Sequence, residues 1–314
     1  MKTTASAPGK IILFGEHAVV YGRPAIAAPV SQVRATAVVT DSPTPGIRLI
    51  APDLGEELML TDAPPDDPIA AVIRQFEMAA NLPALPDLVI TVTSEIPIAS
   101  GLGSGAAITA AVIRALCHHL GLAEYLTPAW ISQQTYEVEK IHHGTPSGID
   151  NTVVSYEMPV YFVRQKLQNR IETFAVAAPL HLLVADTAVS SSTKEVVGDV
   201  RRQWQEDPAA FNAIFDGCGR IARAARQAIE TGDLVAVGRL MNENHQLLQM
   251  MTVSCAELDK LVTAAREAGA LGAKLSGAGR GGNMIALVAS ETAGAISAAL
   301  RNAGARSVLT SILQ

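Results

Sequence analysis

The sequence of 314 residues is poor in cysteine and in long apolar runs. Its three cysteines, Cys117, Cys218 and Cys255, lie far apart without a C-x-x-C pair, so we expect small buried side chains in a reducing compartment. No window reaches the roughly 18 consecutive apolar residues of a membrane span, and the first residues carry no apolar core of a signal peptide. We therefore expect a cytoplasmic protein that is neither secreted nor embedded in a membrane.

The sequence also lacks an excess of positive charge. It has 24 Lys and Arg against 30 Asp and Glu, a net charge of −6, and no run of basic residues. Nucleic-acid-binding domains carry a basic patch, so we expect no nucleic-acid partner. Hydrophobic residues make up 49% of the chain, enough for a sizeable core, and the length favours two domains.

The chain changes from a strand-rich first part to a helix-rich second part. Strands are predicted at residues 10–14, 33–40, 47–51, 88–96, 160–163 and 180–185. Helices are predicted at residues 67–80, 106–120, 128–143, 193–203, 209–231, 233–251 and 256–268. Near the C-terminus, a strand, a helix and a strand are predicted at residues 283–289, 292–303 and 306–313. These patterns predict two domains, residues 1–172 and 173–314, of which the second is α+β.

A glycine-rich stretch stands directly before the most apolar helix. Residues 101–105 read Gly-Leu-Gly-Ser-Gly, and residues 106–120 follow as an almost uninterrupted apolar helix. Glycines at a helix N-terminus let phosphate oxygens approach the free backbone N–H groups and the positive end of the helix dipole. The stretch is neither a Walker A loop nor a dinucleotide fingerprint. Taken alone, it leaves open a phosphate-binding loop or a tight turn packed against a neighbour.

Further segments carry a resemblance to a known family. Residues 8–22 set Lys10 at the start of an apolar strand and Glu16-His17 at its end, and residues 274–282 form another glycine-rich loop. Residues 15–22 (GEHAVVYG), 143–151 (HGTPSGIDN) and 241–248 (MNENHQLL) complete the set. Together these segments resemble the GHMP kinases, and among them the mevalonate kinases most closely, over nearly the whole chain.

This resemblance implies a fold and an activity. We expect the two-domain GHMP kinase fold, of α+β class, with an N-terminal α/β domain similar to the second domain of ribosomal protein S5 and a ferredoxin-like C-terminal domain. It implies phosphorylation of the 5-hydroxyl of (R)-mevalonate with ATP and Mg²⁺, by a homodimer, in the route to isoprenoids. The alternatives are another kinase of this superfamily, acting on phosphomevalonate or on the 3-hydroxyl of mevalonate, a related decarboxylase, or a sensor that binds without turnover.

The resemblance also implies which residues perform the reaction. Asp150 would orient or deprotonate the acceptor hydroxyl, and Lys10 would stabilise the charges there; a capping role for Asp150 is the alternative. Glu16 and His17 would line the acceptor pocket, His17 donating to a substrate carboxylate or hydroxyl, and a histidine bound only to backbone is the alternative. The ATP phosphates would lie against Gly101, Leu102, Gly103, Ser104, Gly105 and Ala106. The third glycine motif consists of Ser276, Gly277, Ala278 and Gly279.

The resemblance also implies magnesium at Glu139 and Ser104, with the Ser104 hydroxyl reaching Mg²⁺ or a phosphate oxygen; a solvated surface position for Glu139 is the alternative. Glu139 stands in the last turn of its predicted helix, where the helix dipole disfavours a carboxylate unless a cation compensates it. Glu137, nearby, has no role in the family and is interpreted as a solvated residue. The pairs His118-His119 and His142-His143 lack the partners of a zinc site and are interpreted as structural.

Three positions depart from the family pattern. Gly105 stands where a second serine is common, and Ser100 could supply the missing hydroxyl. Thr252 and Arg280 stand where glycine is usual. The Arg280 cation could touch a phosphate or point to solvent.

Overall fold

A computed structural model describes residues 1–97, 101–143, 146–167 and 169–314, without the side chains of His142 and His143. The predictions for Ser100, for the His142-His143 pair and for the start of segment 143–151 lie outside these residues. Within them, no helix is both long enough and apolar enough to cross a bilayer.

The chain divides into two compact units. Unit 1 consists of Met1–Lys10 and Pro29–Glu157, and unit 2 consists of Ile11–Ala28 and Met158–Gln314. The N-terminal segment Ile11–Ala28 thus groups with the C-terminal half of the chain, which local sequence patterns do not reveal. The domain limits at residues 172 and 173 stay a prediction.

Unit 1 contains a sheet and a layer of helices. In order, the chain forms β1 (Lys2–Phe14), β2 (Ala25–Asp41), β3 (Ile47–Ala51), β4 (Glu56–Met59), α1 (Pro68–Ala79), β5 (Leu88–Ser94), α2 (Ser104–Leu120), α3 (Pro128–His143) and α4 (Ile149–Tyr156). Strands β1 and β2 run on into unit 2. The strand order in unit 1 is β4-β3-β5-β2, with β3 and β5 parallel and the other pairs antiparallel.

The helices of unit 1 begin and pack as their sequences dictate. Asp67 caps α1 by accepting a hydrogen bond from the Ala70 N–H at 2.7 Å, and Pro68 takes the first helical position. Helix α2 is buried along most of its length and packs against α1, α3 and α4. Its many alanines permit these close approaches, so α2 is the central element that holds the glycine loop in place.

Unit 2 places helices on an antiparallel sheet. Its elements are β6 (Val160–Val163), β7 (Arg170–Thr173), β8 (Leu180–Asp186), α5 (Thr193–Glu206), α6 (Pro208–Thr231), α7 (Leu234–Met250), α8 (Ala256–Glu267), β9 (Gly272–Ser276), β10 (Asn283–Val288), α9 (Ala293–Asn302) and β11 (Ser307–Leu313). The sheet order is β11-β8-β10-β9. Phe215 of α6, Leu248 of α7 and Leu258 of α8 bury themselves in one core with Leu183 and Met284 of this sheet.

Helix α7 covers the open edge of the sheet at β9. The Ala273 N–H donates to Asn242 Oδ1 at 3.0 Å, and the Leu275 N–H donates to His245 Nδ1 at 3.3 Å. Because Nδ1 accepts, Nε2 carries the proton and donates to Asp259 Oδ1 at 3.1 Å. Unpaired strand edges invite wrong pairing, so segment 241–248 has a structural role that its sequence alone does not show.

The structure corrects several sequence predictions. Strand β1 begins at Lys2 rather than residue 10, and α2 begins at Ser104 rather than residue 106. The elements β4, β7, β9 and α4 are not predicted at all. Cys117 and Cys218 are buried as expected, and burial raises the pKa of each thiol to about 12. The prediction for Cys255 is wrong, because this residue caps α8 and is only half-buried.

One substitution at two glycines tests the packing of unit 2. A Cβ at Gly238 of α7 would overlap the Leu271 carbonyl oxygen, whereas a Cβ at Gly198 of α5 would meet no atom within 4 Å. We expect Gly238→Ala to lower the free energy of unfolding by roughly 1–3 kcal/mol. We expect Gly198→Ala to raise it by about 0.5–1 kcal/mol, since alanine favours the helix. Urea denaturation measures both, and effects of equal sign would contradict this packing.

Candidate active site

An ion pair between Lys10 and Asp150 lies at the centre of the candidate site in unit 1. Lys10 Nζ stands 3.1 Å from Asp150 Oδ1, with the lysine side chain 9% and the aspartate side chain 30% exposed. Lys10 is positioned by β1, whose Lys10 N–H donates to the Leu102 carbonyl at 2.8 Å. The pair therefore joins β1, the glycine loop and α4, and its carboxylate keeps an exposed side for a ligand.

Asp150 stands in the first turn of α4, directly after Gly148 and Ile149. Gly148 caps the helix with φ of +90°, a conformation that favours glycine. The positive end of the helix dipole stabilises a carboxylate at this position. Asp150 does not cap α4, because Gly148 holds the cap position and Asp150 lies inside the helix.

Gly103 makes room for this pair. Its φ is +73°, and a Cβ there would stand 2.8 Å from Lys10 Cγ and 3.6 Å from Asp150 Oδ2. Gly103 is also the N-cap of α2, and its carbonyl accepts the first helical bond from the Ala107 N–H at 3.0 Å. The same glycine thus begins α2 and lets the loop pass against Lys10 and Asp150.

The start of α2 has the features of an anion site. Ser104 takes the first helical position and is half-buried, Gly105 is exposed, and the first turn contains no acidic residue. A helix N-terminus of this kind presents N–H groups and a positive dipole to an anion. Gly101 (φ +74°), Leu102 and Ala106 complete the loop, with Leu102 and Ala106 buried.

Glu139 of α3 is electrostatically coupled to the Lys10–Asp150 pair. Burial first, and then the negative charge of Asp150, raise the pKa of Glu139 to about 8, against a smaller lowering by Lys10. Glu137 differs from it, because Glu137 is half-buried and pairs with Lys140. A buried carboxylate beside a second carboxylate is stabilised by a cation, which Glu137 does not need.

Side-chain hydrogen bonds fix α4 against α3. Asn151 Nδ2 donates to Ser132 Oγ at 2.9 Å and to the Ser132 carbonyl at 3.1 Å. Within α4, Thr152 Oγ1 donates to the Gly148 carbonyl at 2.7 Å. Asn151 is buried, so its bonds to Ser132 connect the residue next to Asp150 with the helix that carries Glu139. The role of Asn151 in joining α4 to α3 is not predicted from the sequence, in which only its position next to Asp150 indicates it.

The donor set of unit 1 fits Mg²⁺. Magnesium prefers carboxylate and hydroxyl oxygens and usually shares them with substrate phosphates. Glu139 offers such a carboxylate, and Ser104 offers a hydroxyl at the predicted phosphate loop. Among the described residues, no group of three His, Cys, Asp or Glu forms a cage. The two oxygen donors, Glu139 and Ser104, suit a cation that a phosphate ligand also binds.

Glu16 lies in unit 2 in a buried ion pair. Lys274 Nζ of β9 donates to Glu16 Oε1 and, at 2.6 Å, to the Leu275 carbonyl. Lys274 is fully buried and Glu16 is 1% exposed. Lys274 is not among the residues predicted from the sequence. Its position inside an otherwise apolar strand is the sequence feature that indicates a buried, paired lysine.

His17 and the third glycine motif contact each other within unit 2. His17 Nε2 donates to the Ala278 carbonyl at 2.8 Å. Ser276 Oγ donates to the Ile12 carbonyl at 2.9 Å and accepts from the Ile12 N–H at 3.2 Å. The third motif thus holds the segment that carries Glu16 and His17, and the substrate contact of His17 stays a prediction.

Arg280 and Thr252 are neighbours in space. Arg280 pairs with Asp199 of α5 at 2.5 Å, rather than extending into solvent, and its Nε donates to the Thr252 carbonyl at 3.1 Å. The φ angles of Thr252 (+60°) and Arg280 (+53°) lie in the left-handed region that favours glycine. Thr252 and Arg280 therefore occupy positions whose backbone conformation favours glycine, the residue that is usual there in the family.

Comparisons with known families and sequences cover both units. Residues 68–157 match the model of the GHMP kinases N-terminal domain, and residues 225–306 match that of the GHMP kinases C-terminal domain. The mevalonate kinase of Thermococcus sibiricus is 37% identical over 331 aligned positions, covering 99% of this chain and 96% of the relative.

Solved structures agree with these matches. The L. major mevalonate kinase in complex with R-mevalonate has a TM-score of 0.87 and 31% identity, covering 99% of this chain and 95% of that one. The Streptococcus pneumoniae phosphomevalonate kinase has a TM-score of 0.80 at 16% identity, covering 98% and 99%, and shares the fold. The predicted α+β GHMP kinase fold is confirmed.

Removal of the Glu139 charge tests the electrostatics of the site. The pKa of Glu139 in the folded protein is about 8, above the ordinary value of 4.5. Between these two values the folded protein binds a proton that the unfolded chain does not, so the free energy of unfolding falls as the pH rises from about 4.5 to about 8. In metal-free buffer, we expect Glu139→Gln to remove this decline in the free energy of unfolding. Glu137→Gln is the control and should leave the decline intact. Parallel pH profiles for wild type and Glu139→Gln would contradict the raised pKa.

Proposed function

Because the chain belongs to the GHMP kinase family, we propose that it is an ATP-dependent kinase that phosphorylates the 5-hydroxyl of (R)-mevalonate. One observation carries the proposal: Lys10 and Asp150 form an ion pair at the N-terminus of α4, directly beside the glycine that begins α2. Similarity to mevalonate kinases along nearly the whole chain supports the choice of substrate.

Asp150 and Lys10 act on the acceptor side of the reaction. The 5-hydroxyl oxygen attacks the γ-phosphorus in line, and the bond from that phosphorus to the bridging oxygen of ADP breaks. The hydroxyl proton passes to the Asp150 carboxylate, whose side chain is 30% exposed. The Lys10 ammonium lies 3.1 Å from that carboxylate. It stabilises negative charge on the Asp150 carboxylate and on the substrate hydroxyl oxygen during the transfer.

The glycine loop and α2 act on the donor side. The N–H groups at the start of α2 would hold the phosphates of ATP, with Gly101 and Gly105, beside which no atom lies within 4 Å of a Cβ position, leaving space for their approach. Glu139 and Ser104 would hold Mg²⁺, which supplies neutralisation of phosphate charge when bound. The raised pKa of Glu139 supports this assignment, since a cation there replaces the proton.

The setting of the enzyme is part of the same proposal. We propose a homodimer in the cytoplasm, acting in the mevalonate route to isoprenoid lipids. Family resemblance supports the dimer, and three cysteines without disulfides fit a reducing compartment. The predictions of no nucleic-acid and no membrane partner belong to the same proposal.

A substrate panel tests the activity. Release of ADP is measured with Mg·ATP and mevalonate, phosphomevalonate, homoserine or galactose, and ³¹P and ¹³C NMR identify the product. We expect turnover of mevalonate alone, with the phosphate on the 5-oxygen. Turnover of phosphomevalonate, or a phosphate on the 3-oxygen, would replace the proposal with one of the alternative kinases. Binding of ATP and mevalonate without turnover would support a sensor.

A variant of Asp150 tests its role. Asp150→Asn removes the proton acceptor but keeps the size of the side chain, so we expect kcat to fall by roughly 10²–10⁴-fold. The Kd for ATP, measured by calorimetry, should stay within about twofold, since no phosphate contact is assigned to this residue. Asp62→Asn, an exposed residue of unit 1, is the control and should behave as wild type. An unchanged kcat in Asp150→Asn would remove Asp150 from the reaction.

A further inference from the structure

Helix α5 is bonded to Arg280, which follows the third glycine motif, and to Thr252 through two side chains on one face. Asp199 and Gln203 lie four residues apart and so face the same way. Asp199 Oδ2 accepts from Arg280 Nη1 at 2.5 Å, and Gln203 Nε2 donates to Thr252 Oγ1 at 3.0 Å. Arg280 Nε in turn donates to the Thr252 carbonyl at 3.1 Å. Four side chains therefore form one connected network on unit 2.

This network holds a backbone that its own residues disfavour. Thr252 and Arg280 both have positive φ, and a β-branched residue such as threonine rarely adopts it. The Arg280 N–H donates to the Val253 carbonyl at 2.8 Å, which fixes the loop from the other side. Such conformations persist where surrounding contacts determine them, and they concentrate at functional sites.

The loop that Arg280 fixes also carries the carbonyl that binds His17. Ala278 stands two positions before Arg280, and its carbonyl accepts the hydrogen bond from His17 Nε2 at 2.8 Å. Between them, the Gly279 carbonyl accepts from Ser191 Oγ at 2.6 Å. A displacement of Arg280 would therefore move the oxygen that orients the His17 ring.

Helix α5 reaches the His17 segment by a second route as well. Trp204 of α5 packs on Tyr21 with ring centroids 5.2 Å apart, and Tyr21 stacks on Phe215 at 4.1 Å. Tyr21 ends the short helical turn that follows His17. One helix thus contacts both the turn after His17 and the loop that binds the His17 ring.

We propose that Arg280, held by Asp199 and Thr252, is a positioning residue that orients His17 toward the acceptor substrate. The proposal rests on the proposed function and on the prediction that His17 lines the acceptor pocket.

The ring orientation determines what His17 can recognise. A carbonyl only accepts, so Nε2 must carry a proton, and Nδ1 is then the acceptor of a neutral ring. Burial, and more weakly the positive charge of Arg280, lower the pKa of His17, while its bond to Ala278 opposes this. Glu16, next to His17, and Lys274 balance each other's charge in their ion pair, and Arg23, which donates to the Tyr21 carbonyl, pairs with Asp216. A neutral His17 would accept a hydrogen bond from a substrate hydroxyl rather than donate to a carboxylate.

Three single variants separate positioning from general stability. Arg280→Gly removes the guanidinium and adds no strain, because glycine favours this φ. Asp199→Ala removes the anchor on a helix face where alanine is well tolerated. Arg202→Gln is the matched control, because Arg202 also pairs with Asp199, at 2.7 Å, but is not part of the network with the loop.

Steady-state kinetics give the first readout. We expect Arg280→Gly and Asp199→Ala to raise the KM for mevalonate roughly three- to thirtyfold. The KM for ATP and kcat should stay within about twofold, and the double variant should resemble Arg280→Gly alone, because both changes break one contact. Arg202→Gln should match wild type. An unchanged KM for mevalonate, or a parallel change in all constants, would overturn the proposal.

Imidazole NMR of His17 gives a readout that needs no turnover. We expect ¹⁵N shifts of an Nε2–H ring in wild type, and in Arg280→Gly a mixed tautomer and a higher pKa for His17. Unchanged ring signals in Arg280→Gly and Asp199→Ala would overturn the proposal. If the wild-type protein shows the Nε2–H ring but does not turn over mevalonate, the proposed function is wrong, whereas the positioning of the His17 ring stands.

Discussion

The Lys10–Asp150 ion pair determines the arrangement of unit 1. It joins strand β1 to the start of a helix 140 positions away in the chain, and Gly103 leaves room for it: a Cβ there would stand 2.8 Å from Lys10 Cγ. The same glycine is the N-cap of α2, so the N-terminal end of that helix lies against the Lys10–Asp150 pair. Glu139 responds to this charge arrangement with its raised pKa.

Unit 2 depends on a buried pair of the same kind. Lys274 and Glu16 are almost inaccessible to solvent, and a buried ion pair is rarely retained for stability alone, since desolvation offsets much of its attraction. The pair joins β9 to the segment that carries His17. Helix α7 supports the same strand by covering its outer N–H groups with Asn242 and His245. The GEHAVVYG segment and the third glycine motif are therefore bonded to each other within unit 2, although they lie at opposite ends of the chain.

Local sequence patterns predicted the elements whose signals are local. Strands Ile47–Ala51 and Val160–Val163 have the predicted bounds, and α1 begins at its predicted proline. Short strands such as Glu56–Met59 were missed, because two exposed glutamates hide the alternation, and α4 was missed because Pro146-Ser147-Gly148 indicates only a turn. The motifs named the candidate residues, but neither the partner of Glu16, 258 positions away, nor the network around Arg280 is visible in any local window.

The most direct test is a crystal structure of the protein with mevalonate and a non-hydrolysable ATP analogue. The account predicts that the 5-hydroxyl oxygen lies within hydrogen-bond distance of the Asp150 carboxylate, about 2.6–3.2 Å. It also predicts the γ-phosphate on the opposite side of that oxygen, in line for transfer, with the triphosphate against the start of α2. A mevalonate hydroxyl bound away from Asp150, or a triphosphate held elsewhere, would contradict it.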